Sequence, residues 1–260
     1  MVLPSSAPQT VAAMPEPHPS PDAQVALRER PSGRCALHQR WADLAFLHWA
    51  WDPAEIQARL PSGLEVETWD GKGWLGVVPF SMERIRPRGL PPLPWISWFL
   101  ELNLRTYVTD EAGRPGVWFF SLDCNQPVAV SWGRRAFHLP YRHARMSRRI
   151  DADGTIDYRC RPNVHGRGSR TVWRPQGELR RAEPGTFEFF LVERYLMFTE
   201  GPNGLRQGRV FHAPYRIADL DLQEWDAEIP ISNGFANPGR PPEHALFSPG
   251  VDTEVFALTP

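Results

Sequence analysis

The sequence predicts one α+β domain, mostly of antiparallel strands, that curls or closes on itself. Three observations carry this. Apolar and aromatic runs of strand length alternate with short turns rich in Gly, Asp and Pro. Helix signals occur in only two or three places. The 260 residues include 11 Trp and 28 Pro, which suit short strands, turns and aromatic-lined surfaces better than a helix bundle. A chain of this length can bury a large core, and a net charge of −1 with 42% hydrophobic residues is ordinary for a soluble globular protein.

In chain order, the prolines Pro4, Pro8, Pro15, Pro17, Pro19 and Pro21, mixed with Ser and Ala, predict a disordered Pro-rich tail over residues 1–34. The single folded domain is expected over residues 35–260. Ala36–Trp51 reads as a buried strand, and Asp52-Pro53-Ala54-Glu55 as a helix start with Asp at the N-cap. Pro61 and Gly63 keep that helix short. Leu64–Trp69 and Trp74–Phe80 flank Asp70-Gly71-Lys72-Gly73, a β-hairpin signal. Arg84–Pro94, with its prolines, is read as a loop that leads through Trp95-Ile96-Ser97-Trp98-Phe99-Leu100 into the next strand. A second hairpin joins that strand to Val117–Leu122. Pro127–Phe137 reads as a helix, Tyr141–Ile150 as a strand, and Asp151-Ala152-Asp153-Gly154 as the turn into Thr155–Arg161. Asn163-Val164-His165-Gly166-Arg167-Gly168-Ser169 reads as a flexible loop. Strands follow near Ser169–Trp173, Leu196–Thr199, Leu205–His212, Tyr215–Trp225 and Val251–Leu258, interrupted by a helix at about Thr186–Arg194.

The most informative stretch is Glu101-Leu102-Asn103-Leu104-Arg105. Alternation in a strand puts Glu101, Asn103 and Arg105 on one side and the two leucines on the other. An acid, an amide and a guanidinium in one row bind or polarise a small organic ligand if that side lines a cavity, and do nothing if it faces water.

A further segment, Trp132-Gly133-Arg134-Arg135-Ala136-Phe137-His138-Leu139-Pro140-Tyr141-Arg142-His143-Ala144-Arg145-Met146, carries a resemblance. It is similar to the signature of the acetoacetate-decarboxylase-like superfamily: a helix, a Gly-Arg step, an aromatic residue, then a proline opening a strand. From about His38 to Phe256 the chain resembles one branch, the YqjF-like family of uncharacterised proteins. Gln39-Arg40-Trp41, Leu47-His48-Trp49, Trp74–Phe80, Arg86–Pro91 and Ser248–Asp252 add to the match. The resemblance implies a double-layered β-cone or barrel around an internal cavity, with a few short helices. It brings no established activity.

One departure from the decarboxylase pattern decides the chemistry. There, the residue after the proline is a lysine that forms a Schiff base, beside a second lysine that depresses its pKa. Here those positions hold Tyr141 and Arg142. A phenol forms no imine, and an arginine is not deprotonated in proteins. The one lysine, Lys72, lies in a glycine-flanked turn, whereas a nucleophilic amine needs desolvation or a cationic neighbour. If Tyr141 faces inward as the decarboxylase lysine does, alternation carries His143 and Arg145 to the same face, and Glu101, similar in place to an acidic site residue of the decarboxylases, would oppose them. The expected site is therefore Glu101, Tyr141 and His143 as catalytic groups, with Asn103, Arg105 and Arg145 binding ligand. The same groups also suit a hydrogen-bonded core network.

Other chemistries find less support. The histidines show no metal-ligand spacing, so neither a metal nor another cofactor is expected. Cys35, Cys124 and Cys160 are widely spaced and fit a reducing cytoplasm. Residues 1–30 lack the basic start and apolar core of a secretory signal, and no apolar run is long enough for a membrane span. Between Arg134 and Arg181 stand 13 Arg against four carboxylates, a basic zone without a nucleic-acid-binding signature. The Trp95–Leu100 run is either core or an exposed rim, and as a rim it serves as a cavity lid or a patch for a homo-oligomer. The expected protein is cytoplasmic and holds a small anionic or aromatic organic molecule, with no membrane or nucleic-acid partner. The alternatives are a lyase, hydratase or isomerase without a Schiff-base lysine, and a non-catalytic partner protein using the Arg-rich surface.

Overall fold

The computed structural model describes residues 21–162 and 167–260. Residues 1–20 of the expected tail and residues 163–166 of the expected flexible loop lie outside the described residues. The elements are α1 (Pro21–Ala26), β1 (Leu37–Trp51), α2 (Pro53–Gln57), β2 (Leu64–Val66), β3 (Gly73–Pro87), β4 (Phe99–Asp110), β5 (Pro115–Cys124), α3 (Pro127–Phe137), β6 (Tyr141–Ile150), β7 (Ile156–Pro162), β8 (Ser169–Arg180), α4 (Phe187–Val192), β9 (Leu196–Gly201), β10 (Gly204–His212), β11 (Ile217–Glu224), α5 (Glu228–Ser232) and β12 (His244–Val255).

The strands form one sheet in the order β10-β9-β5-β6-β7-β8-β11-β12-β1-β3-β4-β2, and two further pairings, β10–β12 and β5–β4, close it on itself. The result is an irregular ring of strands, mostly antiparallel, with few and short helices. Closure leaves β1, β3 and β4 as a wall between two apolar regions. Their alternating side chains show it: Phe46, Val78 and Phe99 enter one cluster, and Leu47, Val77 and Leu102 the other. The row Glu101, Asn103 and Arg105 shares the face of Phe99 and Tyr107, so it points into the first region and is buried there.

The structure departs from the sequence expectations at particular places. The Asp70–Gly71 turn forms, with Asp70 at φ 50° and a bridge between Trp69 and Lys72. Its strands do not pair as a hairpin, because β3 is flanked by β1 on one edge and β4 on the other. β2 instead pairs with β4 at Val108–Asp110, beyond Thr106, which faces Leu75 near the start of β3. β3 also runs through Arg84 to Pro87, where a loop was expected. Of the expected tail, Pro21–Ala26 form α1, in which Gln24 is buried and donates to the carbonyls of Phe189 and Glu193 at 3.0 and 2.7 Å. Two strand pairs, β5–β6 and β5–β9, are parallel. The first needs a crossover, which α3 supplies.

Candidate functional site

That β5–α3–β6 crossover builds the site. Gln126 caps α3 by accepting from the Val128 amide, and Pro127 occupies the first turn, where its missing N–H costs nothing. The helix ends at His138, whose left-handed backbone (φ 52°) turns the chain. Leu139 and Pro140 then deliver Tyr141 to the head of β6, beside Leu122 of β5. Gly133 makes this possible: a Cβ there would sit 2.5 Å from the Tyr141 ring. The sequence signal for that contact was the Gly-Arg step, although its physical role is visible only in three dimensions.

Tyr141 Oη donates to Glu101 Oε2 at 2.8 Å. The register explains the meeting. Val78, Asn103, Leu122 and Tyr141 form one cross-strand row, and Phe80, Glu101, Cys124 and His143 the next. Burial pushes the Glu101 carboxyl up from about 4.5 to about 7, against the opposing hydrogen bonds from Tyr141 and Asn103, while the nearby Asp123 charge adds to the rise. Burial and the Glu101 charge likewise raise the Tyr141 phenol, which keeps its proton. Cys124 is held as a neutral thiol by burial, so it is no nucleophile. The Glu101 backbone carbonyl accepts from Tyr158 Oη at 2.8 Å, which anchors the strand from the other region.

Glu101 and Tyr141 line a cavity of about 540 Å³, within the range of small-molecule sites. Its walls are largely apolar, with Leu44, Phe80, Phe99, Phe119, Met197 and Tyr215 among them. Polar atoms gather on Glu101, Asn103, Arg105, Tyr141 and also Gln39 and Arg194. Two of these polar groups are incompletely satisfied. Among the described residues, Asn103 Oδ1 and Arg105 Nε are buried without a hydrogen-bond partner. Arg105 donates from Nη2 to the Leu191 carbonyl at 3.2 Å, and its guanidinium lies 5.4 Å from the Phe46 ring centre and 5.6 Å from that of Tyr107. Arg194, in contrast, is buried in an ion pair with Glu67.

The remaining expected site residues fall elsewhere. His143 is half-buried on the Tyr141 face of β6 but does not line the cavity. Arg145 is exposed and borders a separate surface depression with Arg159, Arg161 and Arg170. The expectation that strand alternation would carry Arg145 inward therefore does not hold. β5 ends at Cys124, so β6 pairs with it for only three residues and from Ala144 onward follows β7 away from the cavity. Arg142 turns to the opposite side and clamps the buried Asp123 with two hydrogen bonds of 2.8 and 2.9 Å. Lys72 is exposed.

The cavity opens between α3 and the end of β3, where Arg86, Pro87, Ile96, Val128 and Trp132 border it. Trp95 is 74% exposed, with φ 69°, and its carbonyl accepts from Gln126 at 2.9 Å, tying this loop to α3. Of the Trp95–Leu100 run, Ser97 and Phe99 are buried while Trp95 and Trp98 are exposed, so both readings of that run apply to different residues. Sequence reasoning missed a second buried polar group beside Arg105, in which His48 Nε2 and Tyr107 Oη lie 2.7 Å apart.

A closed ring of strands around an apolar cavity, entered past a β–α–β crossover, is the acetoacetate decarboxylase-like fold. Solved structures agree at the level of fold. The enduracididine biosynthesis enzyme MppR complexed with pyruvate superposes with a TM-score of 0.61 at 14% identity, over 89% of this chain and 92% of that one. The acetoacetate decarboxylase of Legionella pneumophila gives 0.58 at 13% identity, over 99% and 98%. An acetoacetate decarboxylase-like enzyme from Sphingomonas wittichii RW1 gives 0.58 at 14%, over 87% and 93%. The chain belongs to the DUF2071 family, described as an uncharacterized conserved protein, which it matches over residues 38–252. It is 37% identical over 203 residues to the uncharacterized protein YqjF of Bacillus subtilis (strain 168), covering 78% of this chain and 81% of that protein.

Proposed function

We propose that the cavity binds a small organic acid with an apolar or aromatic body. The observation that carries this is the buried Arg105, held by one carbonyl and two ring faces, with Nε unsatisfied. A guanidinium removed from water and so sparsely compensated favours an anion beside it. A ligand carboxylate accepts from Arg105 Nε, and an adjacent hydroxyl or N–H donates to the open Asn103 Oδ1. The aromatic walls take the body of the molecule. The pyruvate named with MppR is a small keto acid of the same chemical class, which accords with this reading.

A second reading, an enzyme acting on such an acid, rests on Glu101. A carboxyl held near 7 both gives and takes protons at neutral pH, and Tyr141 orients it. In this reading Glu101 serves as general acid or base for a lyase, hydratase or isomerase, and Arg105 clamps the carboxylate of the substrate. An imine route has no support, since no lysine lines the cavity. A polyanion-binding role for the Arg-rich surface is also disfavoured, because carboxylates from other strands neutralise it. Arg180 meets Asp219 at 2.7 Å and Arg174 meets Asp221 at 3.4 Å, while Arg170 pairs with Glu224, all three carboxylates on β11.

The test is calorimetric titration and thermal shift with phenylpyruvate and 3-phenyllactate, each against its methyl ester. Saturable binding of the acids, absent for the esters and lost in Arg105→Met, is expected. Esters binding as well as acids, or Arg105→Met retaining affinity, would overturn the assignment. For the enzymatic reading, Glu101→Gln should abolish turnover of a bound acid while keeping its affinity.

A further inference from the structure

We infer that Cys35, His38 and Glu254 form a binding site for a zinc-like divalent cation on the outer face of β1 and β12. The site is separate from the cavity. Leu37, Gln39 and Val255 line the cavity, so their neighbours His38 and Glu254 project from the other side of the same strands. His38 and Glu254 are direct cross-strand partners. Cys35 lies just before β1, held in place by the Ala36 amide, which donates to the Val255 carbonyl at 2.8 Å. The thiol is buried and the other two side chains are half-buried.

The geometry suits coordination. Cys35 Sγ and His38 Nε2 are 3.3 Å apart. Zn–S and Zn–N bonds of about 2.3 and 2.1 Å at a tetrahedral angle put the two donors about 3.6 Å apart, so little movement is needed. One donor atom from each of the three residues lies within 4.8 Å of the others. A carboxylate oxygen at the far limit of that range closes onto the metal with a shift of roughly 1 Å, which a side-chain rotation supplies. Thiolate, imidazole and carboxylate together select zinc over magnesium or calcium, which prefer all-oxygen sites. Three protein ligands leave the fourth position to water or a small anion.

A built-in competitor is also present. Arg30 donates from Nε to Glu254 Oε2 at 2.8 Å and lies over the Phe256 ring. Arg30 Nη1 also donates to the Pro31 and Gly33 carbonyls at 3.2 and 3.4 Å, so the guanidinium is held on the carboxylate in place of the cation and lowers its affinity. Binding converts the Cys35 thiol to a thiolate and releases its proton to solvent.

The experiment is a Co²⁺ titration of the full chain under a non-chelating reductant, followed by Zn²⁺ competition. One equivalent is expected to produce a sulfur-to-cobalt charge-transfer band that zinc erases. Cys35→Ser should abolish the band, His38→Gln and Glu254→Gln should each weaken binding about tenfold or more, and Arg30→Ala should tighten it. Cys124 and Cys160 are buried and provide the internal control. No band at several equivalents would overturn the proposal, as would a band that survives in Cys35→Ser. Circular dichroism and melting of each variant establish that it is folded, and the Arg30→Ala gain is a readout that misfolding cannot mimic.

Discussion

Glu101 makes the stability of this protein depend on pH in a way that one substitution should remove. Burial holds its folded-state pKa at about 7 against 4.5 when exposed. An acid raised on folding contributes stability that is complete below about pH 4.5 and is lost as pH rises through about 7, because the buried carboxylate must then ionise. At 1.36 kcal/mol per pKa unit, the loss between pH 5 and pH 8 is roughly 2–3 kcal/mol. For a domain of this size that corresponds to roughly 5–10 °C in Tm. Glu101→Gln keeps an acceptor for Tyr141 Oη and cannot ionise. Melting both proteins at pH 5, 6, 7 and 8 isolates the effect, since the other titrating groups, including the buried His48 and His212, are common to both. The wild type should lose stability relative to Glu101→Gln as pH rises. A difference that stays constant from pH 5 to pH 8 would refute the buried, proton-sharing Glu101.

Three further outcomes follow from the same geometry. Tyr141→Phe removes a hydrogen bond that lowers the Glu101 pKa, so the carboxyl midpoint, read by NMR titration, should move above 7. Gly133→Ala places a Cβ 2.5 Å from the Tyr141 ring and should move that midpoint the same way, even though alanine favours the helix, whereas an unchanged midpoint would show that Tyr141 tolerates the intrusion. Gly250→Ala, at φ 115° with its Cβ only 1.9 Å from the Trp41 carbonyl oxygen, should cost ~3 kcal/mol or more, or prevent folding, as measured by urea denaturation.

Much of the fold was legible in the chain because it rests on local chemistry. Asp52-Pro53 starts α2, with the Asp52 side chain accepting from the Ala54 amide, and Gln126-Pro127 starts α3. The apolar run Ala36–Trp51 became β1 almost residue for residue. Pairing was less legible. The Asp70–Gly71 turn implied a hairpin, yet the partner of β2 depended on which strand edges were vacant. At the site, Glu101 and Tyr141 were brought together through the register of β4, β5 and β6. Arg145 was not, because alternation says which side of a strand a residue takes and nothing about where that strand goes next.

The sequence by itself determined that Glu101, Asn103 and Arg105 share a face, since a strand's period of two is a property of the backbone. It also determined that no amine replaces the paired lysines, since Tyr141 and Arg142 cannot act as one. Only the tertiary structure decided that this face meets a cavity rather than water, because that follows from β5 closing onto β4 and β10 onto β12. It likewise decided which groups stand partly unsatisfied there and which distant residues, such as Cys35 and Glu254, become neighbours. Those outcomes depend on long-range pairing, which no local pattern of side chains encodes.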